Sequence, residues 1–170
     1  MQTSSIKLYS LNYNEAKTYI TAALFILGNI ALPQICHLVP QGGMILLPIY
    51  FFTLIGAYKY GWKVGLLTAV LSPVMNHLLF GMPAMAVLAP ILVKSTILAL
   101  AASYIASHSK KVSIALMAGV VLAYQVAGGL FEWAFTGSFA AAVQDFRLGV
   151  PGMLLQIVGG YLFIKYLLKK

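Results

Sequence analysis

Charge is what this sequence has least of. Only 8% of its 170 residues are charged, and only three of those are acidic: Glu15, Glu132 and Asp145. A soluble domain carries about a quarter charged residues, so a mainly water-facing surface is excluded. Cysteine is almost missing too. Cys36 stands alone, which leaves no internal disulfide and no cysteine-based metal site; it reads as apolar filler at the end of a span. The zinc-protease HExxH, the GxSxG elbow and the glycine-rich phosphate loop are all absent. Any energy input therefore has to come from a partner or a gradient. Ser72 and Ser95 lie in apolar stretches, but His77 follows Ser72 by five residues, which is not same-face geometry. Serines in spans usually bond their own helix carbonyls.

What the chain has instead is apolar length. Mean hydropathy is +0.91, and six apolar stretches run over roughly 18–36, 44–58, 64–80, 84–106, 112–135 and 150–166. A span needs about 20 such residues. The expectation is an all-α integral membrane protein, a six-transmembrane-helix bundle making one domain over 1–170. Residues 1–17 form a cytoplasmic or interfacial segment, held through Leu8, Tyr9, Leu11 and Tyr13, without the charged start and cleavage site of a signal peptide. Tight turns fall at 37–43, 58–63, 80–83 and 107–111, where Pro, Gly and lysines cluster. The longest connection, 136–149, has room for a short surface helix over 139–146. Pro48 sits near the start of the second span, where a missing N–H costs little.

Net charge is +8. In a soluble chain that would point to nucleic acid; here it sorts by topology. Lys7, Lys17, Lys59, Lys63, Lys110, Lys111, Lys165, Lys169 and Lys170 fall on one side of the six spans, and Arg147 alone falls on the other. Cytoplasmic loops carry the excess of Lys and Arg, so both termini are expected in the cytoplasm.

The polar residues inside the apolar stretches gather toward the opposite, outer surface: Gln34, His37, Gln41, Asn76, His77, Glu132, Trp133 and Gln156. Lys94 and Gln125 come out near mid-depth. Buried polar groups are costly unless paired or lining a wet cavity. The cluster therefore reads as a ligand pocket open to one compartment. Lys94 at the midplane costs about 2.5–3.5 kcal/mol even on lenient scales. It either meets an anionic or carbonyl-bearing ligand, or is partnered structurally by Glu132 or a helix carbonyl. Glu132 should sit about 10 Å shallower, which is awkward for a direct salt bridge but fits a small amphoteric ligand held between the two. Trp133 is a belt residue or a stacking platform, and Tyr124 and Phe131 also offer rings. Asn76 and His77 line the pocket or cap a helix before Gly81. His37 and His77 lack a third ligand, so no metal and no cofactor is expected. Gly56, Gly61, Gly65, Gly128, Gly129, Gly159 and Gly160 allow close helix contact.

The run Pro48-Ile49-Tyr50-Phe51-Phe52-Thr53-Leu54-Ile55-Gly56-Ala57, followed by Tyr60-Gly61-Trp62-Lys63-Val64-Gly65, resembles the substrate-binding S component of energy-coupling factor (ECF) vitamin transporters. The likeness continues through Pro73, Asn76, His77 and Leu78-Leu79-Phe80-Gly81, and the six-span plan with an outward pocket covers the whole chain. The resemblance implies a high-affinity binder of a vitamin-like small molecule in a prokaryotic cytoplasmic membrane. It also implies partners: membrane lipid, a membrane scaffold subunit and two ATPase subunits, with no catalysis by this chain and no nucleic acid. Loop 37–43 would gate the pocket. In this family small residues four apart in span 1 meet the scaffold; Thr18 and Ala22 keep that spacing and Ile26 ends it. Three other readings stay open: a self-sufficient small transporter, a membrane enzyme acting on lipid, and an assembly subunit.

Overall fold

The computed structural model describes Ser4–Ser5 and residues 8–168. Lys7, Lys169 and Lys170, counted above among the topology charges, lie outside the described residues. Among the described residues the fold is all-α apart from one two-residue pairing. In chain order come β1 (Ser4–Ser5), α1 (Ala16–Cys36), α2 (Gly42–Leu46), a 3-10 turn (Pro48–Tyr50), α3 (Phe51–Tyr60), α4 (Trp62–Phe80), α5 (Met85–Ser109) and β2 (Lys111–Val112). There follow α6 (Ile114–Thr136), the short α7 (Phe139–Ala142) and α8 (Gln144–Leu148), and a C-terminal helix over Val150–Leu167. That last helix begins as α9 (Val150–Leu154) and is interrupted by π-helical stretches at Leu155–Gly159 and Phe163–Leu167.

Among the described residues, five helices are long and apolar enough to cross a membrane: α1, α4, α5, α6 and the C-terminal helix. Their outer faces match that. Ile20, Leu24 and Leu27 on α1, and Leu122, Val126 and Leu130 on α6, are exposed at helical spacing. Large apolar side chains turned outward suit a lipid surround.

The expected span 44–58 is not one helix. Leu47 adopts a left-handed backbone (φ 46°, ψ 46°), and Pro48 follows with no N–H to give. The helical ladder cannot pass through both. What remains, α3, is the centre of the bundle: every residue from Thr53 to Lys59 is buried. It packs on α1, α4 and α5. Close approach is possible because Gly65 faces it; a Cβ there would sit 2.5 Å from the Cβ of Ala57 and 3.2 Å from that of Ala99.

Caps and breaks follow the sequence. Ser113 accepts from the N–H of Leu116 (3.2 Å) and starts α6. Ser138 does the same for Ala141 and starts α7. Gly81 and Gly137 end α4 and α6 with positive φ, each giving its N–H to the carbonyl four residues back, His77 and Trp133. The connection 136–149 holds two short helices, close to the surface helix expected there.

One expectation needs correction at the lysine-rich end. Lys59 was counted as a turn charge, but it lies in the last turn of α3, fully buried, with its ammonium 5.4 Å from the centre of the Tyr9 ring. The cause is the chain before α1, which packs over Lys59. Tyr9 N–H donates to Lys59 O (2.9 Å), Tyr9 stacks on Tyr60, Leu11 is buried, and β1 pairs with β2. This segment packs against that end, where Leu8, Tyr9 and Ser10 line one side of a cleft of about 780 Å³. On α1, Thr18 and Ala22 are both buried inside the bundle, whereas Ala16 and Ala23 are exposed. The small pair is used for packing within this chain, because α1 has to come close to α3 and α4.

Candidate functional site

The interior holds three polar groups toward the end where α1 and α4 finish. The first ties α1, α3 and α4 together. Asn29 Nδ2 donates to Thr53 Oγ1 (3.0 Å) and to Ser72 Oγ (3.3 Å), and Asn29 Oδ1 accepts from Phe52 N–H (3.1 Å). Pro33 cannot return a hydrogen bond to Asn29 O, four residues back. Asn76 Nδ2 supplies it instead, at 2.9 Å, and also donates to Ser72 O at 2.9 Å. The proline of one helix and the asparagine of another thus complete each other.

The second group is ionic. Lys94 Nζ lies 2.6 Å from Glu132 Oε2 and 2.8 Å from Asp145 Oδ2, and the lysine is 3% exposed. This corrects the expectation that depth keeps Lys94 and Glu132 apart. On α6, Gln125, Gly128 and Glu132 fall at i, i+3 and i+7, one helical stripe. The missing side chain of Gly128 leaves a channel for the lysine stem; a Cβ there would be 2.3 Å from Lys94 Cγ. The stem crosses the glycine and carries the ammonium to the carboxylate. Asp145 comes from α8, in the connection rather than in a span. A pair of opposite charges that are also hydrogen-bonded relieves much of the burial penalty.

The third group lies beside α6 and the C-terminal helix. Tyr124 Oη donates to Gln156 Oε1 (2.9 Å), Gln125 Nε2 donates to Tyr124 Oη (3.1 Å), and Gln156 Nε2 reaches Leu47 O (3.5 Å). Tyr50 covers the Tyr124 ring at 5.2 Å between centres. Gln156 sits in the first π-helical stretch.

A cleft of about 580 Å³ opens at the same end, between the finish of α1, the α1–α2 connection, and the α4–α5 turn. Its walls are mostly apolar, from Pro33, Val39, Met44, Ile49, Val87 and Ile91 among others. Its polar groups are His37, Gln41 and Asn76. Gln41 (φ 58°) and Leu47 (φ 46°) bracket α2 with left-handed residues that are not glycine, a conformation that needs surrounding support. The support comes from Gly152, whose missing side chain lets α2 lie on the C-terminal helix; a Cβ would be 2.5 Å from Leu46 O.

The residues singled out from the sequence therefore divide. His37, Gln41 and Asn76 line the cleft. His77 stands beside it, with Nδ1 donating to Pro83 O (2.8 Å), so it holds the α4–α5 turn. Lys94 and Glu132 form the ion group, and Gln125 and Gln156 the tyrosine group. Gln34 is half-buried, and its Nε2 has no hydrogen-bond partner. Trp133 points outward, edge-on to Phe139 at 5.4 Å. Phe131 stacks on Phe135 away from the cleft wall. Sequence reasoning missed Asn29, although an asparagine in mid-span was the signal. It also missed Asp145 as a partner of Lys94.

No family model matches this chain, and no curated protein or solved structure matches it either.

Proposed function

We propose that this chain is a membrane-embedded binding subunit that takes a vitamin-like small molecule from the outer side and passes it inward. In this reading it has six crossings, both termini are cytoplasmic, and the segment 42–60, with its buried run from Thr53 to Lys59, is the sixth crossing. It works as an S component, with a membrane scaffold and two ATPase subunits, in a prokaryotic cytoplasmic membrane. The observation that carries the reading is the cleft of about 580 Å³ at one end of the bundle. Small-molecule sites are concave, mostly apolar and of about 300–1,000 Å³, with a few placed polar groups. The lysines support the orientation. Lys17, Lys63, Lys110 and Lys111 lie at the end opposite the cleft, where α1, α4 and α6 begin and α3 and α5 finish, in the sense of the positive-inside pattern.

The α1–α2 connection and α2 form the movable wall. Lys94 is held by carboxylates from two elements, so its part is to fasten α5, α6 and α8 around the site. The alternatives fit less well. A self-sufficient transporter needs a polar path through the other half of the bundle, and the central groups Asn29, Thr53 and Ser72 are hydrogen-bonded to one another. A lipid-modifying enzyme needs a nucleophile beside a base; His77 Nδ1 is engaged with Pro83 O in the α4–α5 turn.

Native mass spectrometry of the gently purified protein, with the released molecule identified, tests the proposal. A small metabolite leaving in one-to-one ratio supports it. A protein that is empty, and stays empty after incubation with a panel of vitamins, overturns it.

A further inference from the structure

We infer that the molecule bound in the cleft is uncharged and gives an N–H or O–H hydrogen bond to Asn76 Oδ1. This deepens the proposed function and rests on it.

Asn76 is 2% exposed and its Oδ1 has no hydrogen-bond partner. A buried acceptor left unmade costs about 1–3 kcal/mol. Turning the amide over does not help. The Nδ2 group meets two carbonyl oxygens, Asn29 O and Ser72 O, both at 2.9 Å. A flipped amide would set oxygen against oxygen twice. The orientation is therefore fixed, and the oxygen remains an unfilled acceptor, itself sealed from water, in a residue that lines the cleft; a donor reaches it when the movable wall gives way. It asks for a donor.

Charge complementarity sets the rest. Among the residues lining the cleft there is no Lys, Arg, Asp or Glu, and His37 is the one titratable side chain. Lys94 and Glu132, the charges expected from the sequence to meet a ligand, are engaged with each other and with Asp145. A carboxylate or phosphate entering this apolar cleft would lose its water with no cation to replace it. An ammonium would find no anion. A neutral ring or amide that carries one donor loses little water and fills the acceptor. His37 and Gln41, on the movable wall, are placed to meet a second polar edge. This replaces the expectation of a ligand strung between Lys94 and Glu132.

The test is competition and direct binding on the full chain in detergent, with matched pairs that differ only in charge. Nicotinamide against nicotinate, and biotin amide against biotin, serve as probes beside whatever molecule the purified protein releases. The inference expects the uncharged member of a pair to bind at least about tenfold more tightly, since a charge that loses its water in an apolar cleft with no counter-charge costs at least that factor. It also expects Ile91→Trp, at a cleft-lining position that is not one of Asn76's hydrogen-bond partners, to remove binding while the helical circular dichroism is kept. Preference for the charged member, lost on Lys94→Met, overturns this inference and leaves the binding function standing. A released or added ligand that still binds Ile91→Trp unchanged overturns the placement in the cleft. No ligand of either charge, with none released, overturns the inference together with the function it rests on.

Discussion

At the scale of single residues, Lys94 is where burial and charge are most finely set. Its ammonium has two carboxylates within 2.8 Å. Removing one partner from a buried ionic group costs about 3–5 kcal/mol, because the other charges stay behind. Lys94→Met should therefore lower the unfolding free energy by about that amount, read from thermal or denaturant unfolding in detergent. Lys94→Met combined with Glu132→Gln and Asp145→Asn should recover most of the loss. If the single variant is as stable as the parent, the ion group does not fasten the helices. Two of the three members of this group were legible. Lys94 and Glu132 were visible as rare charges in apolar stretches, and a structural partnership was one of the two readings. Asp145 was not, since its position depends on how α7 and α8 fold back. Asn76 was legible as a cleft residue, but its match with the carbonyl that Pro33 frees was not. Nothing in a single sequence says which helix lies beside which proline.

At the scale of elements, the second expected span is where the sequence pattern misleads. Residues 44–58 are apolar enough for a helix, and Pro48 looks harmless near its start. The break comes from Leu47 at positive φ, a conformation leucine rarely takes and so does not announce. Tertiary contact imposes it, through α2 lying on Gly152. Gly152→Val should push α2 off the C-terminal helix. The variant should keep its helical circular dichroism, become easier to cleave between residues 37 and 47, and lose ligand. Unchanged proteolysis would show that α2 does not depend on that contact. A related outcome is expected at Gly128. Gly128→Ala should destabilise the protein by about 1–3 kcal/mol, because the lysine stem is forced aside. Neither effect rests on helix propensity, which favours alanine over glycine.

At the scale of the whole molecule, composition and periodicity were enough for an all-α chain with several apolar helices. The lysine sorting gave an orientation that is open to direct measurement. Cys36 is the lone cysteine and is buried, so Cys36→Ser provides a clean background. With that background, Arg147→Cys and Lys110→Cys place thiols at exposed positions at opposite ends. A membrane-impermeant maleimide added to intact cells should label position 147 and spare position 110. Labelling of 110 alone would invert the proposed orientation and turn the cleft toward the cytoplasm.

Leu47, Pro48, Ile49 and Tyr50 belong to two neighbourhoods at once. Pro48 and Ile49 line the cleft, while Leu47 O takes the Gln156 bond and Tyr50 rests on Tyr124. A stretch of four residues shared this way makes the two sides thermodynamically linked, and linkage is reciprocal. Whatever an occupant of the cleft does to the Tyr50–Tyr124 ring pair, a change at that pair must do to the occupant in equal measure. Near-ultraviolet circular dichroism of the tyrosines should then report filling of the cleft. A Gln156→Leu variant should shift the occupant's affinity from a position that never touches it.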